Sequence, residues 1–172
     1  WTEILKGYEL PERQTANGGW DRWPICNHNP AHAGELSYML GVLLTGMTRY
    51  HEASGDRRVP PSVVRGARYL VNEAWVPELQ GFRYAVCPLT LPTRGLDPLN
   101  FLIMTGLVMA HRETGEPAFR QIMIESAEHS IRGLLRMGEQ PGDRALGKML
   151  GLFTGHTPHV IGYVAGLTEM RP

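Results

Sequence analysis

The sequence predicts an all-α fold built from αα-hairpin repeats of about 60 residues, and three observations carry that prediction. First, Leu43-Leu44-Thr45-Gly46-Met47 reappears 60 positions later as Ile103-Met104-Thr105-Gly106-Leu107, and at the same offset again as Tyr163-Val164-Ala165-Gly166-Leu167. Second, residues suited to cap a helix N-terminus share the offset. These are Ser37, Asp97 and Thr157, with Pro98 and Pro158 directly after the last two, where a missing N–H costs nothing. Third, segments apolar around most of their circumference alternate with segments that carry one apolar stripe.

Taken in chain order, residues 1–10 match the end of an outer helix, because Thr2, Ile4, Gly7 and Leu10 stand 60 positions before Ser62, Val64, Ala67 and Leu70. An inner helix follows near 38–53, with Met39, Leu40, Val42, Leu43, Leu44 and Met47 leaving little polar surface; such a helix is expected to be buried on all sides. After a turn at Ser54-Gly55-Asp56, the segment near 62–75 sets Val63, Val64, Ala67, Leu70 and Val71 against Arg65, Arg68, Asn72 and Glu73, the pattern of a one-faced outer helix. The second unit repeats this: an inner helix near 98–113, a turn at Thr114-Gly115-Glu116, and an outer helix near 119–135 with Ile122, Met123, Ala127, Ile131 and Leu134 on its stripe. A third inner helix is expected near 158–170. Glycines at 46, 106 and 166, each costing about 1 kcal/mol inside a helix, imply close helix approach at one register. The connections near 11–36, 77–96 and 136–156 are long, whereas the hairpin turns are short, so the inner-helix N-termini mark the working face. The repeats begin and end out of phase, which is expected of one partial domain over 1–172, a piece of a longer chain.

Composition narrows the function classes. The 172 residues include 17 basic and 17 acidic side chains, a balance that argues against nucleic acid or an anionic membrane surface as partner. No apolar run reaches the roughly 20 residues needed to span a bilayer. Dinucleotide, P-loop and nucleophile-elbow signatures are absent, so no cofactor is expected. Two cysteines leave the compartment open.

The inner-and-outer hairpins of about 60 residues with long loops on one face resemble the six-hairpin (α/α) toroid superfamily of glycoside hydrolases and polysaccharide lyases. The resemblance spans essentially the whole chain and is architectural: the stretch Leu43–Asp56 looks like its typical hairpins, and no family-defining catalytic string matches. It implies part of an (α/α)6 toroid, about half of one, and a carbohydrate-active enzyme working by acid/base chemistry at the long-loop face.

The first connection supplies most candidates. Trp20 and Trp23 beside Asp21 suit a sugar site, since indole faces stack on pyranose rings while charged groups bind hydroxyls. A hydrolase needs two carboxylates about 5–9.5 Å apart, for which Asp21 and Glu35 are the candidates; Asp97 is already accounted for as a cap. A lyase needs a base and a neutraliser for the uronate carboxylate, and Asn27, His28 and Tyr84 supply those residue types, with Arg83 and Arg94 as further substrate-binding candidates. Cys26, His28 and Cys87 could hold zinc, but without CxxC or HExxH spacing buried structural thiols or a disulfide bridging adjacent loops fit better, and no metal is expected. His51 and His111, in the last turns of inner helices, suit a structural role beside the helix C-terminus. The reading from a different class is a non-catalytic helical-repeat module binding peptide or protein partners. In either case the open inner-helix edges are expected to be covered by self-association or by further hairpins of the parent chain.

Overall fold

The computed structural model describes residues 13–20, 23–24, 33–87, 98–139 and 146–166. The expected outer helix near 1–10 lies outside them, as does Asp97. Among the described residues the fold is mainly helical, with two antiparallel ladders of two-residue strands. In chain order these are β1 (Trp23–Pro24), β2 (Ala33–Gly34), α1 (Ser37–Ser54), α2 (Val59–Tyr69), β3 (Trp75–Val76), β4 (Gly81–Phe82), α3 (Met104–Thr114), α4 (Pro117–Gly138) and α5 (Leu146–Val164). One π turn, Leu70–Ala74, prolongs α2, and a 3-10 segment, Pro98–Leu102, leads into α3. No helix among the described residues is long and apolar enough to cross a membrane.

Both short turns close the same way. Gly55 and Gly115 adopt φ of 67° and 69°, and their N–H groups reach back to the carbonyls of His51 and His111 at 2.8 and 2.7 Å. Glycine enters this left-handed region without steric cost, which ends the helix cleanly. The Asp56 carboxylate then accepts from the Arg58 backbone N–H and guanidinium, which holds its pKa down at about 2. His51 Nδ1 donates to the Asp56 carbonyl at 2.9 Å, the structural role expected of it.

α3 is the hub. Every residue from Met104 to Ala110 is buried, and α3 packs against α1, α2, α4 and α5. α2 lies against both α1 and α3, and α4 against both α3 and α5. Close approach of α1 and α3 depends on two glycines. A Cβ on Gly41 would meet Ile103 Cα at 2.8 Å, and one on Gly106 would meet Leu44 Cβ at 2.8 Å. Leu44 therefore inserts between α3 and α2, where it also fills the space over Gly66.

Several expectations are corrected. α1 is not buried on all sides: Met39 and Val42 are 52% and 45% exposed, because no described helix packs on that flank. Ser37 does not cap α1. It is the first helical residue, Leu36 occupies the cap position, and no side chain caps the end. The inner helix near 98–113 starts as the 3-10 turn and becomes α-helical only at Met104. The third inner helix begins at Leu146, not 158, so Pro158 sits inside α5. The connection expected over 136–156 shrinks accordingly to the residues between Gly138 and Leu146. The common register of the three glycines also fails. Gly106 is tightly packed, Gly46 faces open space, and Gly166 lies beyond α5 with φ of 67°, matching Gly55 and Gly115 instead.

Candidate functional site

The described parts of the first two long connections meet at the N-terminal end of α1. Leu36 bridges Ala85 antiparallel, Ser37 N–H donates to the Tyr84 carbonyl at 3.0 Å, and Val86 N–H donates to the Glu35 carbonyl at 2.8 Å. The β3–β4 hairpin aims this return strand: Trp75 pairs with Phe82 and Val76 with Gly81. Phe82 N–H then donates to Asn100 Oδ1 at 3.3 Å, tying the strand to the 3-10 segment ahead of α3.

These three pieces enclose a notch lined by Ser37, Tyr38, Arg83, Tyr84, Asn100 and Ile103. Its room of about 10 Å³ admits one water or one ligand hydroxyl, not a sugar ring. Two polar groups are buried in its walls: Ser37 Oγ and Asn100 Nδ2 have no hydrogen-bond partner among the described residues, at 1% and 2% residue exposure. Buried polar groups are nearly always paired; Ser126 and Ser130 Oγ are orphaned likewise, but Ser37 and Asn100 share the lining of one hollow. In the same lining the rings of Tyr38 and Tyr84 lie 5.2 Å apart, tilted by 37°, with their phenols 3.4 Å from each other, and Tyr84 is 43% exposed.

The sequence candidates divide sharply. Tyr84 and Arg83 line the notch. Glu35 lies beside it, but its carboxylate accepts the Trp20 N–H at 2.7 Å and so holds the first connection in place. Trp20 is no sugar platform: it is 3% exposed and packs over Gly66, a core residue. The side chain of Trp23 and all of Asp21, Asn27, His28 and Arg94 lie outside the described residues, and so does Cys26. Cys87 is buried, and no group of three or more potential metal ligands occurs among the described residues. Sequence reasoning missed Ser37, Tyr38 and Asn100 as site residues. Asn100 had a signal, being the one polar side chain in the run Leu99–Met104.

At the opposite end of the helices, His111 Nδ1 meets the Tyr163 phenol and Arg112 stacks over the same ring at 5.0 Å, a contact that fastens α5 to α3. His156 on α5 is shifted below the ordinary histidine range by burial and by Arg49. Comparison with known proteins finds no matching family model, no matching curated protein and no matching solved structure.

Proposed function

We propose that this chain is part of an (α/α) toroid carbohydrate-active enzyme whose substrate face includes the tyrosine notch, and that it acts on an acidic polysaccharide by elimination. The observation that carries the reading is the tilted, part-exposed Tyr38–Tyr84 pair lining the same notch as two buried polar groups without a partner among the described residues, Ser37 Oγ and Asn100 Nδ2. An aromatic surface beside hydrogen-bonding groups suits a sugar ring with one hydroxyl seated in the hollow. Arg83 supplies a cation for a uronate carboxylate.

In such an elimination a base removes the proton from the carbon next to the carboxylate, a C=C bond forms, the C–O bond to the leaving sugar breaks, and that oxygen takes a proton. Tyr84 is the residue we assign to proton transfer, with Asn27 and His28 as the neutraliser and base. Hydrolysis by a carboxylate pair is the weaker version, because Glu35 is engaged by the Trp20 N–H. Calorimetric titration with an oligouronate and with a neutral oligosaccharide tests the proposal. Selective binding of the oligouronate is expected, weakened about tenfold by Tyr84→Ala. A folded protein that binds neither glycan, or a Tyr84→Ala variant that binds like the wild type, would sink it.

The second reading, a peptide- or protein-binding helical module, is favoured by the exposed apolar side chains Met39, Val42, Leu150 and Ile161. Capture of a peptide together with failure to bind any glycan would select it.

A further inference from the structure

The α1–α3 contact is a lock whose two halves recur, uncovered among the described residues, on α1 and on α5. On the inserting side, α1 presents Gly41, Leu44, Thr45 and Thr48. Gly41 lies against Ile103, Leu44 against Gly106, the Thr45 hydroxyl reaches the Leu102 carbonyl at 3.4 Å, and the Thr48 hydroxyl reaches Met109 Sδ at 3.1 Å. The pattern is Gly-x-x-Leu-small-x-x-Thr. It recurs on α5 as Gly147-x-x-Leu150-Gly151-x-x-Thr154, and all four of those residues are exposed, Leu150 by 45%. A Cβ placed on Gly147 or Gly151 would meet nothing within 4 Å.

On the receiving side, the segment leading into α3 offers Leu102 and Ile103, and α3 itself offers Gly106. Their counterparts 60 positions earlier are Val42, Leu43 and Gly46 on α1. There Val42 is 45% exposed and Gly46 faces open space, with Met39 extending the apolar surface. Among the described residues, an apolar helix flank is thus left uncovered on α1, and its matching insert is left uncovered on α5. Both continue the packing of α1 on α3, so the chain carries the two complementary halves of one more such joint.

We propose that a second copy of this chain covers these faces, with α5 of one copy packed on α1 of the other through Leu150 over Gly46. With both α5–α1 joints formed, the two copies are related by a two-fold axis, the interface is isologous and all four faces are satisfied. Small residues on one helix opposite a leucine on the other allow the close approach already present between α1 and α3. Neither face includes the notch, so glycan binding and association of copies are read out separately.

The test is sedimentation equilibrium of the chain and of two variants, Gly46→Leu and Gly151→Leu. Both glycines point into open space in the single chain, so the variants keep their fold, which circular dichroism verifies. The wild type is expected at twice 19.2 kDa. Each variant alone is expected to associate at least about tenfold more weakly, because a leucine overfills the joint. A mixture of the two is expected to recover part of the association, through the one joint in which the intact α5 face of one meets the intact α1 face of the other. Three results would overturn the proposal: a wild type that stays monomeric at high concentration, as when other hairpins or a peptide are the natural cover; variants that dimerise like the wild type; or loss of dimer in Gly46→Leu alone, which indicates α1 packing on α1.

Discussion

Two glycines five positions apart on α1 behave as opposites, and only their surroundings say so. Gly41 is where α1 touches the backbone of the segment entering α3, with Ile103 Cα and the Leu102 carbonyl both 2.8 Å from any added Cβ. Backbone cannot swing aside as a side-chain tip can, so Gly41→Ala is expected to destabilise the fold by about 1–3 kcal/mol. Gly46 has nothing within 4 Å. In dilute, monomeric protein Gly46→Ala is expected to stabilise by about 1 kcal/mol, through helix propensity alone. Urea unfolding of both variants checks the pair, and equal effects would show that the α1–α3 approach is looser than described. The sequence pointed to Gly46 because it recurs at Gly106, yet recurrence reports equivalence between repeats and not which copy has a neighbour. The same gap explains Trp20. An indole next to an acid has the composition of a sugar platform, but its burial against Gly66 depends on a contact between residues 46 positions apart. Tyr84 and Arg83 were legible as candidates by type, whereas Ser37 and Asn100 join them at the notch only through the fold of the return strand.

Among the elements, α1, α2 and α4 lie within a few residues of where apolar spacing puts them, because each has a strong stripe and a short glycine turn at one end. α5 does not. Thr157-Pro158 has the local chemistry of a helix start, and the 60-residue offset from Asp97-Pro98 reinforced it. What overrides both is packing: Leu146, Met149, Phe153, Val160 and Val164 form one stripe at helical spacing that runs straight through the proline and joins the core. That stripe, and the match of Gly166 to Gly55 and Gly115 as a left-handed helix end, were the available signals. The two assignments differ in a measurable way. Inside a continuous helix, proline removes a backbone hydrogen bond and crowds the preceding turn, so Pro158→Ala is expected to raise stability by up to about 3 kcal/mol. At a helix start the same change would be close to neutral or mildly unfavourable. Denaturant midpoints of the two proteins distinguish these, and a neutral result would move the start of α5 back to 158.

For the whole molecule the question is whether α5 is an integral part of the fold or an appendage. The buried cluster runs without interruption from Trp20 through α1, α2 and α3 to Val160 on α5. Within it Phe101 is fully buried and meets Phe153 edge to face at a centroid separation of 5.3 Å, while the His111–Tyr163 contact fastens the other end of α5. Phe101 sits in the 3-10 segment that also carries Asn100, so the joint to α5 and the wall of the notch share one short stretch of chain. A shared core of this kind unfolds as one unit. Phe101→Ala is therefore expected to cost about 3–5 kcal/mol, the range for emptying a buried phenylalanine site. Tryptophan fluorescence and far-ultraviolet circular dichroism should still report one coincident transition, shifted to lower denaturant with an unchanged slope. If α5 were only loosely attached, the helical signal would fall first while the fluorescence of Trp20 and Trp75 held. In that event the mutation would lower stability by much less, because α1 to α4 would keep their core without α5.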